Sequence, residues 1–123
     1  PEMCGIGPFV PHKDTKFKNE NHGDVSLVLM LLSIIRLLKP NILLPATTAL
    51  GTVDPLGREK GILHGANVVM PNLSPIKHRK DYSLYDNKIC TGDEAAQCIG
   101  CLADRMEKIG YEIVTGRGDY TEE

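Results

Sequence analysis

An α/β fold with parallel strands is what this sequence predicts, and two apolar runs with a capped segment between them carry the prediction. Asn41-Ile-Leu-Leu-Pro-Ala-Thr-Thr-Ala-Leu-Gly51 and Asn67-Val-Val-Met-Pro-Asn72 lack the alternation of a half-exposed strand. Parallel strands covered on both faces read this way. Between them, Asp54-Pro-Leu-Gly-Arg-Glu-Lys-Gly-Ile-Leu-His-Gly65 offers a cap, a first-turn proline, a short helix and a terminal glycine. Strand, helix and strand make one complete unit, and ligands of such units bind at the C-terminal ends of the strands. Thr47, Thr48, Asn72 and Ser74 stand at those ends.

The repeat extends in both directions. Met3-Cys-Gly-Ile-Gly-Pro-Phe-Val10 is a third candidate strand, followed by a charged, glycine-bearing loop from Pro11 to Gly23. Asp24 caps an apolar helix from Val25 to Leu38 that stops at Lys39-Pro40. After Asn72 comes a basic and aromatic loop, then a helix running through Glu94-Ala-Ala to Ile109 and ended by Gly110. The strands at residues 3–9, 41–46 and 66–70 are expected side by side in that order, all parallel if the crossovers keep the usual hand.

The helix from Val25 to Leu38 implies a larger body. Its only polar residues, Ser26, Ser33 and Arg36, share one narrow face, which calls for neighbours on most sides. With 14 residues it is too short to span a bilayer, for which ~20 are needed. The chain opens on Pro1-Glu2-Met3, without an initiator methionine or a signal peptide. The expectation is the last three β/α units of a (β/α)8 TIM-type barrel of ~250 residues or more, residues 1–123 forming its C-terminal fragment.

Composition excludes several classes. Net charge is −2, aromatic content 5%, and tryptophan is absent, so nucleic acid and membrane surfaces are not expected partners. Four cysteines, three of them clustered, do not make a secreted disulfide scaffold, and a cytoplasmic setting is expected. Cys90, Cys98 and Cys101 form a C-x7-C-x2-C group just before and within the last helix. Converging thiolates suit a soft metal or an iron–sulfur cluster. Against this, Thr91-Gly-Asp-Glu94 resembles a capping box that would carry Cys98 away from Cys90. Cys98 and Cys101 could equally pack as small apolar side chains beside Ile99, Leu102, Met106 and Ile109. Lys77-His-Arg-Lys80 with Tyr82 and Tyr85 is either an anion-holding loop or a solvated basic run. Thr47 and Thr48, if in a regular strand, point to opposite faces.

Taken together the motifs reach a known family. Gly5-Ile-Gly-Pro-Phe-Val-Pro-His12, Pro45-Ala-Thr-Thr-Ala-Leu-Gly-Thr52, Gly57-Arg-Glu59, Gly65-Ala-Asn-Val-Val-Met-Pro-Asn72 and Tyr82-Ser-Leu-Tyr85 before Lys88-Ile-Cys90 span nearly the whole chain. In this order they closely resemble the C-terminal portion of the biotin-synthase-like radical S-adenosylmethionine enzymes that mature FeFe-hydrogenase. Biotin synthase itself, a sulfur inserter, shares Gly57-Arg-Glu59 and Gly65-Ala-Asn67. It places a cluster-binding arginine in the strand where residues 42–48 have none. Asp86-Asn87 departs from a Pro-Gly pair common in the maturases.

The resemblance implies a barrel whose N-terminal part holds a 4Fe-4S cluster through a C-x3-C-x2-C motif that this chain lacks. The cluster would cleave S-adenosylmethionine to a 5′-deoxyadenosyl radical acting on a small-molecule iron species supplied by other hydrogenase maturases. By position, Met3, Met70 and Tyr82 look like S-adenosylmethionine contacts, and Thr47, Thr48 and Tyr85 like substrate contacts. Cys90, Cys98 and Cys101 look like ligands of an auxiliary 2Fe-2S cluster in the segment 90–101. A bend after Pro45 would let both threonines approach the cavity. The fragment alone is expected to be inactive and to self-associate. A non-catalytic metal-binding module is the alternative from another class.

Overall fold

The computed structural model describes residues 1–82, 84–89 and 98–121. Its first regular element is α1, Val25–Leu38. The boundary follows from chemistry: the Asp24 carboxylate accepts from the Ser26 N–H at 2.7 Å, satisfying an otherwise orphaned donor. The helix ends at Lys39, whose N–H donates to the Ile35 carbonyl, with Pro40 next. α1 buries Val28, Leu29 and Leu32, whereas Leu27, Met30, Ile34, Leu37 and Leu38 stay exposed. The expected cover on most sides is thus supplied on one side only.

The strands are parallel and in the expected order, but far shorter than the apolar runs. Met3 pairs with Leu43 in a parallel bridge, through Cys4 N–H to Leu43 O at 3.0 Å and Leu43 N–H to Glu2 O at 2.9 Å. β1 (Pro45–Ala46) then pairs in parallel with β2 (Val68–Val69), Pro45 opposite Val68 and Ala46 opposite Val69. The ladders stop early for local reasons. Pro45 has no N–H to donate, and Gly5, Gly7 and Pro8 interrupt the first run. The Asn67 side chain stands in for a strand partner, its Oδ1 accepting from Leu44 N–H at 2.8 Å.

The second half of the first apolar run is not strand. Thr47 caps α2 (Thr48–Val53), its hydroxyl accepting from the Leu50 N–H at 3.3 Å. The threonines therefore occupy a cap and a first helical turn, and the argument from alternating strand faces does not apply. A hydroxyl that bonds its own backbone outcompetes the β preference of threonine here. α3 (Gly57–Leu63) follows after Asp54, whose carboxylate accepts from Leu56 N–H at 2.9 Å and pairs with Lys60. These bonds hold the Asp54 carboxyl below its usual range. Gly65, at φ +102°, receives the side chain of Arg36, which donates through Nε to the Gly65 carbonyl at 2.8 Å.

Beyond β2 the basic loop forms a short 3-10 helix, Ile76–Tyr82. α4 is Cys98–Glu107, and residues 94–97, where the helix was read to begin, lie outside the described residues. The capping box at Thr91 to Glu94 lies outside the described residues. Gly110, at φ +83°, ends α4 as expected, its N–H donating to the Glu107 carbonyl. Leu32, Leu44, Leu50, Leu102 and Met106 are fully buried, so α1, β1, α2 and α4 share one core. No helix among the described residues is long and apolar enough to cross a membrane.

Candidate functional site

The loops that leave the strands meet one another. Asp86 N–H, beyond β2, donates to the Pro11 carbonyl beyond the first strand at 3.0 Å. Ile89 N–H donates to Thr52 Oγ1 of α2 at 3.4 Å. A cavity of about 310 Å³ sits at this junction, lined by Pro11, Glu20, His22, Thr52 and Asp86 among others. Thr47 lies at the same end of β1, half-buried, and its position depends on Gly7. A Cβ on Gly7 would stand 2.6 Å from Thr47 Oγ1. Gly7→Ala should therefore push the Thr47 hydroxyl off the Leu50 N–H and fray the start of α2. The expected loss is about 1 kcal/mol, the usual worth of such a cap, read by thermal melting. An unchanged melting temperature would count against it.

Met3 and Met70 come together on a second, larger cavity of about 630 Å³, with Val68, Val69, Tyr111 and Val114 also in its wall. Both methionines are about half exposed. Tyr82 is exposed at the end of the 3-10 helix, and its carbonyl accepts from Lys88 Nζ at 3.3 Å. Tyr85 and Thr48 are half-buried. Neither cavity gathers all six of these side chains: Met3 and Met70 line one, and Thr47, Thr48, Tyr82 and Tyr85 line neither.

The basic run divides by role. Arg79 is buried and folds the loop around itself, donating through Nε to the Ser74 carbonyl at 2.7 Å and through Nη2 to the Asn72 carbonyl at 3.3 Å. Lys77 and His78 are exposed, with His78 Nδ1 3.4 Å from Asp81. A single buried arginine in a four-residue basic run has no local signature, because its partners are backbone carbonyls.

Of the cysteine group, Cys90 and the thiol of Cys98 lie outside the described residues. Cys101 is a free thiol on α4, exposed rather than packed with Leu102 and Met106, so the expectation that it fills the core does not hold. Ile99 is exposed as well, leaving Leu102 and Met106 as the buried side of the stripe. Among the described residues, no group of three or more metal-ligating side chains comes together.

Two further arginines were not legible as site residues. Arg105 of α4 forms a two-pronged pair with Glu59 of α3, Nε meeting Oε1 and Nη2 meeting Oε2 at 2.7 Å, and also donates to the Pro55 carbonyl. Burial pushes the Glu59 carboxyl up, but the Arg105 hydrogen bonds, a backbone hydrogen bond and the charges of Arg105 and Arg58 together hold the group below its usual range. The pair fixes α4, and with it Cys101, against α3. Arg58 is buried beside it. The only sequence signal for Arg58 was the Gly57-Arg-Glu59 string, and Arg105 had none.

Parallel strands in chain order with converging C-terminal loops place the chain in the α/β class, whose ligands commonly bind at the strand ends. The chain is similar to a hydrogenase maturase. It is 46% identical over 109 residues, 89% of its length, to the FeFe hydrogenase maturase subunit HydE of Thermotoga maritima. The resemblance read from the ordered motifs is borne out by this relative. The chain spans 31% of that protein's length. No family model matches the chain.

Proposed function

We propose that the chain is the C-terminal part of a radical S-adenosylmethionine enzyme that helps assemble the diiron site of FeFe-hydrogenase. It would supply the last three β/α units of a (β/α)8 barrel in the cytoplasm. The observation that carries this reading is identity of 46% to a hydrogenase maturase over 89% of the chain. The parallel, in-order strands support it, since every complete β/α unit of a barrel repeats that arrangement.

Two features of the described residues support the cofactors this reading requires. Met3 and Met70 offer two half-exposed thioether chains to one cavity, a polarizable apolar wall suited to a sulfonium ligand. Cys101 is an exposed thiol on α4, which leaves it accessible to a metal. S-adenosylmethionine and a 4Fe-4S cluster would supply one-electron radical chemistry in the parent enzyme. This chain's own part is to hold and orient. Met3, Met70 and Tyr82 would flank S-adenosylmethionine, and Thr47, Thr48 and Tyr85 would orient a small-molecule substrate received from the other maturases. The Thr47 hydroxyl, which accepts from Leu50 N–H, keeps its own proton available for donation. Cys90, Cys98 and Cys101 would bind an auxiliary 2Fe-2S cluster.

The test is a comparison of two chains. The chain extended upstream to include a C-x3-C-x2-C motif should form 5′-deoxyadenosine from S-adenosylmethionine after anaerobic iron–sulfur reconstitution. The 123-residue chain should not, because its sequence holds no such motif. Product from the short chain, or none from a reconstituted extended one, would refute the proposal. The exposed face of α1 should also make the short chain self-associate, and a monodisperse monomer in light scattering would contradict that part.

A further inference from the structure

The segment after α4, residues 111–121, forms no helix or strand, yet it makes up much of a cavity wall. All of residues 111–118 except Thr115 line the cavity of about 630 Å³ that Met3, Val68 and Met70 also line. The segment leaves α4 at Gly110 and turns again at Gly118, where φ is +69°, a conformation glycine adopts without strain. Two side chains anchor it. Within residues 111–120 only Ile113 and Tyr120 are half-buried, and the others are exposed. Ile113 packs against the apolar core, and Lys39 Nζ, where α1 ends, lies 5.2 Å from the centre of the Tyr120 ring. The Tyr111 N–H donates to the Met106 carbonyl at 3.0 Å. Past that bond, among the described residues, no backbone–backbone hydrogen bond joins the segment to the rest of the fold. The ion pair of Arg117 with Asp119 is internal to it. A segment held at two points and otherwise without backbone hydrogen bonds opens far more readily than the helices and ladder around it.

We propose that residues 111–120 are a strap that gates this cavity, swinging from Gly110 when the contact of Tyr120 with Lys39 breaks. A cation–π contact at an exposed site is weak enough to break and re-form often, and Ile113 guides the strap back to the same place. The Met3 and Met70 thioethers are the proposed S-adenosylmethionine wall. The inference therefore rests on that reading for the molecule admitted, and adds to it a control on entry and release. Met106 lines the same cavity but is only 2% exposed, so it reports on the end of the strap nearest α4.

Oxidation of the methionines tests the gate with no ligand present. Its failure would leave the S-adenosylmethionine reading standing, and that reading is tested separately by 5′-deoxyadenosine formation. The full chain, as wild type, Tyr120→Ala and Ile113→Ser, is treated with dilute hydrogen peroxide, and oxidation at each methionine is followed by peptide mass spectrometry. Met30, on α1 and outside the cavity, is 52% exposed, against 50% for Met3 and 49% for Met70, and serves as the internal reference. Relative to Met30, Tyr120→Ala should oxidise Met3 and Met70 roughly two- to fivefold faster at an unchanged melting temperature, the factor to which a weak exposed cation–π contact corresponds. Ile113→Ser loses an apolar anchor, and oxidation of Met3, Met70 and Met106 should rise on the order of tenfold. Unchanged Met3 and Met70 ratios in Tyr120→Ala would overturn the proposal. So would an Ile113→Ser variant in which Met106 alone oxidises faster and the melting temperature falls, since Ile113 would then be an ordinary core residue.

Discussion

Arg105→Met is expected to cost the chain about 3–5 kcal/mol, the range for breaking a buried ion pair by removing one partner. The Glu59 side chain is only 8% exposed, so the carboxylate left behind would be out of water without its cation. The Pro55 carbonyl would lose a donor as well. For a domain whose whole stability is on the order of 5–15 kcal/mol, that is a large share. It should appear as a fall in melting temperature of roughly 4 °C per kcal/mol. The pH dependence gives a second check. In the wild type the Glu59 carboxyl is held below its ordinary value of 4.5. The pair therefore stabilises fully above that value, and its contribution is lost as pH falls below it through the folded-state pKa. In the variant the burial cost is opposed only by the Glu59 backbone hydrogen bond and the Arg58 charge, so the carboxyl shifts upward from its wild-type position. The gap between the two proteins should be widest near neutrality and close in acid. A gap that does not change with pH would show that lost packing, and not the buried charge, is responsible.

Gly57→Ala should be the most damaging single methyl in the chain. A Cβ there would stand 2.2 Å from the Leu50 carbonyl oxygen and 2.7 Å from its carbon, both backbone atoms of α2. Backbone cannot swing aside as a flexible side chain does, so α2 and α3 would have to separate. The cost is about 3 kcal/mol, at the upper end for overpacking. Gly100→Ala is the control. Gly100 sits in α4 with nothing within 4 Å of the added methyl, and the helix would gain about 0.5–1 kcal/mol from the lost flexibility. Equal melting temperatures for the two variants would contradict the close approach of α2 and α3.

Local signals were enough wherever one segment's own chemistry decided the outcome. α1 begins after Asp24 and stops at Lys39-Pro40 because a carboxylate cap, an apolar run and a proline each act within a turn of helix. Gly110 ends α4 for the same kind of reason. The parallel order of the strands was legible because connections of this length and hand admit few alternatives. The ordered motifs pointed to hydrogenase maturases because they span nearly the whole chain, and the 46% identity agrees. Local signals failed at Thr47 and Thr48, where strand propensity and capping compete within the same residues. The side chain of Thr47 settled on its own backbone.

What only the tertiary structure decided is which charged groups lose water and whom they meet. Nothing near Arg105 in the sequence marks Glu59, which lies 46 residues away, as its partner. Nothing in Lys77-His-Arg-Lys80 marks Arg79 as buried, and nothing in Gly57-Arg-Glu59 shows that both charged residues are buried. Burial is a property of the packed whole. The sequence by itself determined where α1 starts and stops, where α4 ends and that the strands run parallel in chain order. The packing of α2, α3 and α4 around Leu50, Leu102 and Met106 determined which arginines are buried and which carboxylate Arg105 meets.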